Sequence, residues 1–209
     1  MKQIQEGQLK NGIKYLFYPL DGKVFMINVL VKAGSKYDPD GKDGLAHMVE
    51  HLIVSGSIEC PTPRSLGAVL LSNGGTSEIY TDREFAKLET TTTLENTEDG
   101  FKYLNQVIFH PLINNETIVR EKKIIAQEIQ GYDVDKNRLF DKMLNDMVWP
   151  NSWKSREIIG TIKSVEKLTT EDAIKFHLDH YRPEDLQITI SGSYDESAVI
   201  GFLNKYFEK

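Results

Sequence analysis

Apolar positions recur with two different periods along this chain, and the changes between them mark its elements. The apolar-rich stretch Ile13-Lys14-Tyr15-Leu16-Phe17-Tyr18 follows Gln8-Leu9-Lys10, with Asn11-Gly12 between them. This predicts a hairpin on a type I′ turn, whose positive φ angles that dipeptide supplies. Val24 to Val31 is apolar almost throughout, the pattern of a central strand covered on both faces. Residues 33–42, rich in Gly, Pro and Asp, form a loop into a helix over 44–54, with Asp43 as its candidate N-cap. A second helix runs from Arg64 to Leu71, opened by Pro61 and Pro63 and stopped by Asn73-Gly74-Gly75.

Thr76 to Tyr80 and Phe85 to Leu94, rich in β-branched residues, predict a pair of strands. Helical spacing returns over Glu95 to Phe109 and ends before Pro111. It returns again from Asn115 to about Val148, with an interruption expected at Gly131. Thr169 to His180 is a helix capped by Thr169 or Thr170, Leu186 to Ile190 an alternating strand, and Glu196 to Phe207 a closing helix. There is no internal repeat, low-complexity tract or linker. The expectation is one α+β domain over 1–209, with a mostly antiparallel sheet of about five to six strands and helices packed on it.

Composition adds bounds rather than direction. With 209 residues, 40% hydrophobic and 27% charged, the chain reads as a soluble globular protein able to bury a substantial core. A net charge of −6 argues against a nucleic-acid partner. Cys60 is the single cysteine, so neither an internal disulfide nor a thiolate metal cluster is available. There is no apolar run of membrane-spanning length and no apolar signal behind Met1-Lys2-Gln3, so no membrane partner and a cytoplasmic setting are expected.

Candidate chemistry concentrates in Gly44-Leu45-Ala46-His47-Met48-Val49-Glu50-His51-Leu52-Ile53-Val54. Apolar on most sides, this helix should be buried. Its polar exceptions are His47, Glu50 and His51. With His47 at zero, Glu50 falls at about −60° and His51 at about +40°, so two imidazoles flank one spot with a carboxylate beside them. A buried polar wedge costs several kcal/mol unless it is satisfied. A pair of core histidines hydrogen-bonded to Glu50 would satisfy it. The reading favoured by the full His-x-x-Glu-His pattern is a divalent metal held by both imidazoles, with Glu50 placed to reach a water.

A third ligand is offered by the helix after Asn115, where Glu121 and Glu128 sit two turns apart within a stripe of Ile118, Ile124 and Ile125. Carboxylates there need pairing or coordination, and Arg120, Lys122 and Lys123 fall on other faces. One Glu with two His makes the His₂Glu set of a hydrolytic zinc site with an open position. Elsewhere, His177 and His180 read as a solvated helix face, His110 as a turn residue, and Cys60 has no partner pattern for a nucleophile.

These blocks resemble the pitrilysin/insulysin metallopeptidases, or inverzincins, whose His-x-x-Glu-His order inverts the commoner one. The resemblance runs through 44–52, Asn73-Gly74-Gly75, Glu121 to Ile129, Ile159-Gly160-Thr161, Phe176 to Pro183 and Ser191 to Asp195, essentially the whole chain. It implies a zinc endopeptidase with one zinc per chain. His47, His51 and Glu128 then match the metal ligands, Glu50 the general base and Glu121 a carboxylate supporting the site from behind. It further implies peptide substrates, added as an extra strand to the edge strand after Gly74-Gly75.

The chain departs from the pattern in two places. Glu78-Ile79 stands where the family usually shows Asn-Ala, while Thr81 matches; three readings of Glu78 stay open, a carboxylate that favours basic side chains in a substrate, one that spoils binding, and an ordinary surface-facing residue of a half-exposed strand. Family chains usually carry two or four such domains, the second closing over the first and adding Arg and Tyr groups. A homodimer, or a heterodimer with a second half-length chain, is therefore expected. The alternative is a catalytically silent subunit that binds peptide or assembles with an active partner; a non-peptidase zinc hydrolase is a third reading.

Overall fold

In the computed structural model, which describes residues 4–132, 135–150 and 152–208, the chain opens with the hairpin of β1 (Gln5–Gln8) and β2 (Lys14–Pro19). Its turn is not type I′. Leu9 N–H donates to Ile13 O at 2.9 Å and Gly12 N–H to Leu9 O at 3.0 Å, which closes a three-residue loop with Gly12 at φ +97°. A single left-handed residue suffices for such a loop, and glycine takes it without steric cost.

The sheet has the order β1-β2-β6-β3-β5-β4, with β3 (Val24–Val31), β4 (Thr76–Thr81), β5 (Ala86–Thr93) and β6 (Leu186–Gly192). β2 and β6 run parallel and the other neighbours antiparallel, as expected of a mostly antiparallel α+β sheet. β3 is central but not covered on both faces. Phe25, Ile27, Val29 and Val31 are buried, whereas Val24 and Leu30 are exposed and Met26 and Asn28 half-buried. The helices cover one face only, and burial alternates along β5 and β6 as well.

On the covered face lie α1 (Leu45–Val54), α2 (Pro63–Leu71), α3 (Thr97–Phe109), α4 (Asn115–Tyr132), α7 (Thr170–His180) and α8 (Glu196–Phe207). α3 packs on β3 and β5, and α1 packs against α4, α7 and β4. Gly131 does not interrupt α4, which continues to Tyr132. A separate helix, α5 (Lys136–Val148), starts after the N-cap Asp135. A short α6 (Ile162–Lys167), absent from the sequence reading, is set by a capping box between Thr161 and Ser164. Among the described residues no helix is long and apolar enough to cross a membrane.

His177 and His180 are not on a solvated face. His177 Nε2 lies 2.9 Å from Ile108 O and its ring stacks on Tyr181, while His180 lies against Tyr37 and Phe176. The one-sided helix pattern hides this, because the neighbours come from α3 and from the loop before α1.

Candidate metal centre

α1 is buried through Leu45, Ala46, Met48, Val49, Leu52 and Ile53, which leaves His47, Glu50 and His51 half-buried, with His47 and Glu50 in the wall of one cavity. Its start is fixed from a distance. Gly44 is the N-cap residue, at φ +89°, and the Asp38 carboxylate accepts from Gly44 N–H and Ala46 N–H, each at 2.8 Å. Asp43 is therefore not the cap; it lies 3.5 Å from Arg156. The left-handed turn at Gly44 admits no side chain, since a Cβ there would stand 2.6 Å from Ile159 O.

α4 crosses α1 and brings both carboxylates to it. Glu128 Oε2 lies 3.5 Å from His51 Nε2 and 3.9 Å from His47 Nε2, and one ligand atom from each of the three residues falls within 4.8 Å of the others. The two imidazole rings meet nearly edge to face, with centroids 4.7 Å apart. Seven residues earlier on the same stripe, Glu121 approaches the opposite edge of His51, with Oε2 3.3 Å from Nδ1. Glu121 is buried, and its other oxygen accepts from Arg120 Nε at 3.0 Å. Arg120 does not stay on its own helix face: the flexible side chain folds across to Glu121 and to Ser55 O.

The arrangement suits a divalent cation. A carboxylate oxygen facing two Nε2 lone pairs is repulsive unless a proton or a metal lies between them. In addition, His47 Nδ1 and Glu50 Oε2 are buried without a hydrogen-bond partner among the described residues. The cavity measures about 540 Å³, and His47, Glu50, Glu128, Thr81, Tyr132 and Arg138 line it.

Residues 21–162, more than half of the chain, match the family described as insulinase, peptidase family M16. The chain belongs to that family. A protein of Rickettsia bellii described as an uncharacterized zinc protease is 27% identical over 203 residues, which cover 96% of this chain and 48% of the relative. A protease from Helicobacter pylori shares the fold with a TM-score of 0.93 at 21% identity, over 99% of this chain and 50% of that one. A structure from Pseudomonas fluorescens described as a peptidase M16 inactive domain has a TM-score of 0.89 at 16% identity, over 98% and 50% of the two chains. The chain thus spans about half the length of each of these relatives.

Electrostatics in this insulinase-family cavity follow burial and neighbouring carboxylates. Burial, and next the charge of His51, holds the His47 imidazole down to about 4, neutral at physiological pH. Burial also lowers His51, but the Glu121 hydrogen bond and the charges of Glu50, Glu121 and Glu128 outweigh it, and His51 is raised. Burial pushes the Glu50 carboxyl up, opposed by Thr81 and His51. Burial acts the same way on Glu121, yet His51 and Arg120 together bring it below the usual carboxylate range.

Of the three edge-strand residues singled out in the sequence, Thr81 lines the cavity. Among the described residues β4 pairs with β5 alone and is the sheet's edge. Ile79 lies opposite Leu88 on the covered face, and Glu78 opposite Glu89 on the open face, where Lys87 pairs with Glu89 at 2.7 Å. Sequence reasoning missed Tyr132 and Arg138. Tyr132 O–H donates to Glu128 Oε1 at 2.6 Å, and Arg138 lies over the Tyr132 ring, 3.2 Å from its centroid. Tyr132 was within reach of sequence reasoning, because residues four apart on a helix are neighbours.

Proposed function

We propose that this chain is the catalytic half of a zinc-dependent endopeptidase, holding one zinc ion through His47, His51 and Glu128 and using Glu50 as general base. The observation that carries this reading is the convergence of Glu128 Oε2 on two imidazole Nε2 atoms. A bound zinc ion would supply Lewis acidity, making a water more acidic and stabilising charge on the scissile carbonyl oxygen. The remaining work falls to side chains. His47 is held neutral by burial, the form in which an imidazole donates a lone pair. Glu121 accepts from Nδ1–H of His51, which fixes the tautomer with Nε2 free and orients the ring. Glu50, its carboxyl raised by burial, takes the proton of the attacking water and delivers it to the leaving amine.

Short or unstructured peptides are the substrates in this reading. They would add to the free edge of β4, whose last residue, Thr81, stands in the cavity wall. A second half-length body, as homodimer or heterodimer, would complete the enclosure. Beside the cavity α5 exposes Leu139, Phe140, Met143 and Met147, a composition suited to being covered. A cytoplasmic setting belongs to the same reading.

Metal analysis of the purified protein, followed by peptide cleavage with Glu50→Gln as control, tests it. The expected result is about one zinc per chain, and cleavage that falls about 10²–10⁴-fold in Glu50→Gln while zinc is retained. Zinc-loaded protein that cleaves no peptide, alone or mixed with a partner chain, would leave the silent peptide-binding subunit as the function.

A further inference from the structure

The two oxygens of the Glu128 carboxylate sit in different surroundings. Oε2 faces both imidazoles, at 3.5 Å and 3.9 Å, while Oε1 accepts the Tyr132 hydroxyl at 2.6 Å. Glu128 is the exposed member of the trio: its side chain is 30% exposed, against 12% for His47 and 20% for His51. Packing alone does less to hold it. A glutamate has three rotatable side-chain bonds, and ordering such a side chain costs conformational entropy. A hydrogen bond to the oxygen that does not face the imidazoles removes most of that freedom in advance.

Tyr132 is placed for this task. It is four residues beyond Glu128 and the last residue of α4, so the two side chains share a face. Its ring is held in turn by the guanidinium of Arg138, which reaches over from the first turn of α5 to 3.2 Å from the ring centroid. Both residues line the same cavity as His47 and Glu50.

We propose that Tyr132 is a positioning residue for the carboxylate ligand, with Arg138 clamping its ring; this rests on the zinc-site reading above. With Oε1 engaged by the phenol, Oε2 is the oxygen Glu128 has left to offer, and its direction is set before a metal arrives. The bond also tempers the charge on the carboxylate.

Zinc dissociation constants from chelator competition, and the visible spectrum of the cobalt-substituted protein, test the inference on wild type, Tyr132→Phe and Arg138→Gln. Tyr132→Phe keeps the ring and the stacked guanidinium and removes only the hydroxyl. It should weaken zinc about 10–100-fold and alter the cobalt absorption bands, with Arg138→Gln shifting both in the same direction by less. A zinc constant for folded Tyr132→Phe that is unchanged or tighter, with an unaltered cobalt spectrum, overturns the inference and leaves the zinc reading intact. Wild-type protein unable to hold zinc would instead defeat the zinc reading, and this inference with it.

Discussion

His51 Nδ1 lies 3.3 Å from Glu121 Oε2, and the other oxygen of that carboxylate is 3.0 Å from Arg120 Nε. Glu121 is buried between a guanidinium and an imidazole, so its charge is compensated on both sides. The consequence for His51 is directional: one ring nitrogen is committed to Glu121, and the other is presented to Glu128. The chain thus carries a carboxylate–histidine relay built from the same two helices that make the candidate metal site.

Replacing Glu121 with Gln keeps an acceptor and removes the charge. In metal-free protein the His51 imidazole is held above its ordinary value, with the Glu121 hydrogen bond the largest contribution in that direction. Glu121→Gln should therefore lower the His51 pKa, read from the imidazole resonances in an NMR titration. Zinc affinity should fall about 10-fold, because a neutral amide oxygen holds the His51 ring more weakly than a carboxylate does. An unmoved His51 titration would mean that burial and the other carboxylates set its protonation alone.

Zinc binding should also register as stability. A ligand that binds only the folded chain adds about 2.7 kcal/mol at a free concentration one hundred times its dissociation constant. For a chain of this length that is a rise in Tm of about 5–10 °C. Thermal unfolding with added zinc against added chelator measures it, and His47→Ala or Glu128→Ala should abolish the difference. A rise that survives in both variants would place the metal elsewhere.

Helix α1 was legible in the sequence because its polar exceptions are spaced three and four apart in an otherwise apolar segment. Periodicity did not separate Glu121 from Glu128, which differ by only about 20° around α4. Their difference is axial. Seven residues are about 10 Å along a helix, so one carboxylate meets the Nδ1 edge of His51 and the other its Nε2 edge. Asp38 was missed because it caps α1 from a loop, six and eight residues ahead of the amides it accepts from, and no periodicity encodes that reach. Arg120 was misread because a helical wheel fixes Cβ directions and not where a long side chain folds.

That loop carboxylate makes stability depend on pH. Burial pushes Asp38 up to about 7, against the hydrogen bonds from Ala46 and Gly44. A carboxyl raised in the folded state holds its proton more tightly there than in the unfolded chain, where its value is 3.8. Its contribution to stability is then fully present below that unfolded value and is lost as pH rises through about 7. Asp38→Asn cannot ionise, so the difference in unfolding free energy between variant and wild type should move in favour of the variant from pH 4 to pH 8. The expected span is on the order of a few kcal/mol. Urea unfolding of metal-free protein at several pH values measures it, and two parallel profiles would show that Asp38 keeps its charge throughout.

Gly44 offers a test of how rigidly the front of α1 is fixed. Its φ of +89° disfavours any residue with a Cβ, and that Cβ would meet Ile159 O at 2.6 Å, a backbone atom that cannot rotate away. Gly44→Ala must therefore either displace the 157–160 segment, which supplies part of the cavity wall, or unwind the first turn of α1. Either route costs about 1–3 kcal/mol from the backbone conformation, before the clash is counted. The first route moves a wall of the cavity and leaves His47, the third residue of the helix, where it is. The second shifts His47 itself. Thermal unfolding should show the loss of stability in both cases, and zinc affinity separates them: retained if the segment yields, weakened if the helix does. An alanine variant with wild-type stability would mean that Gly44 is not held in this conformation in solution.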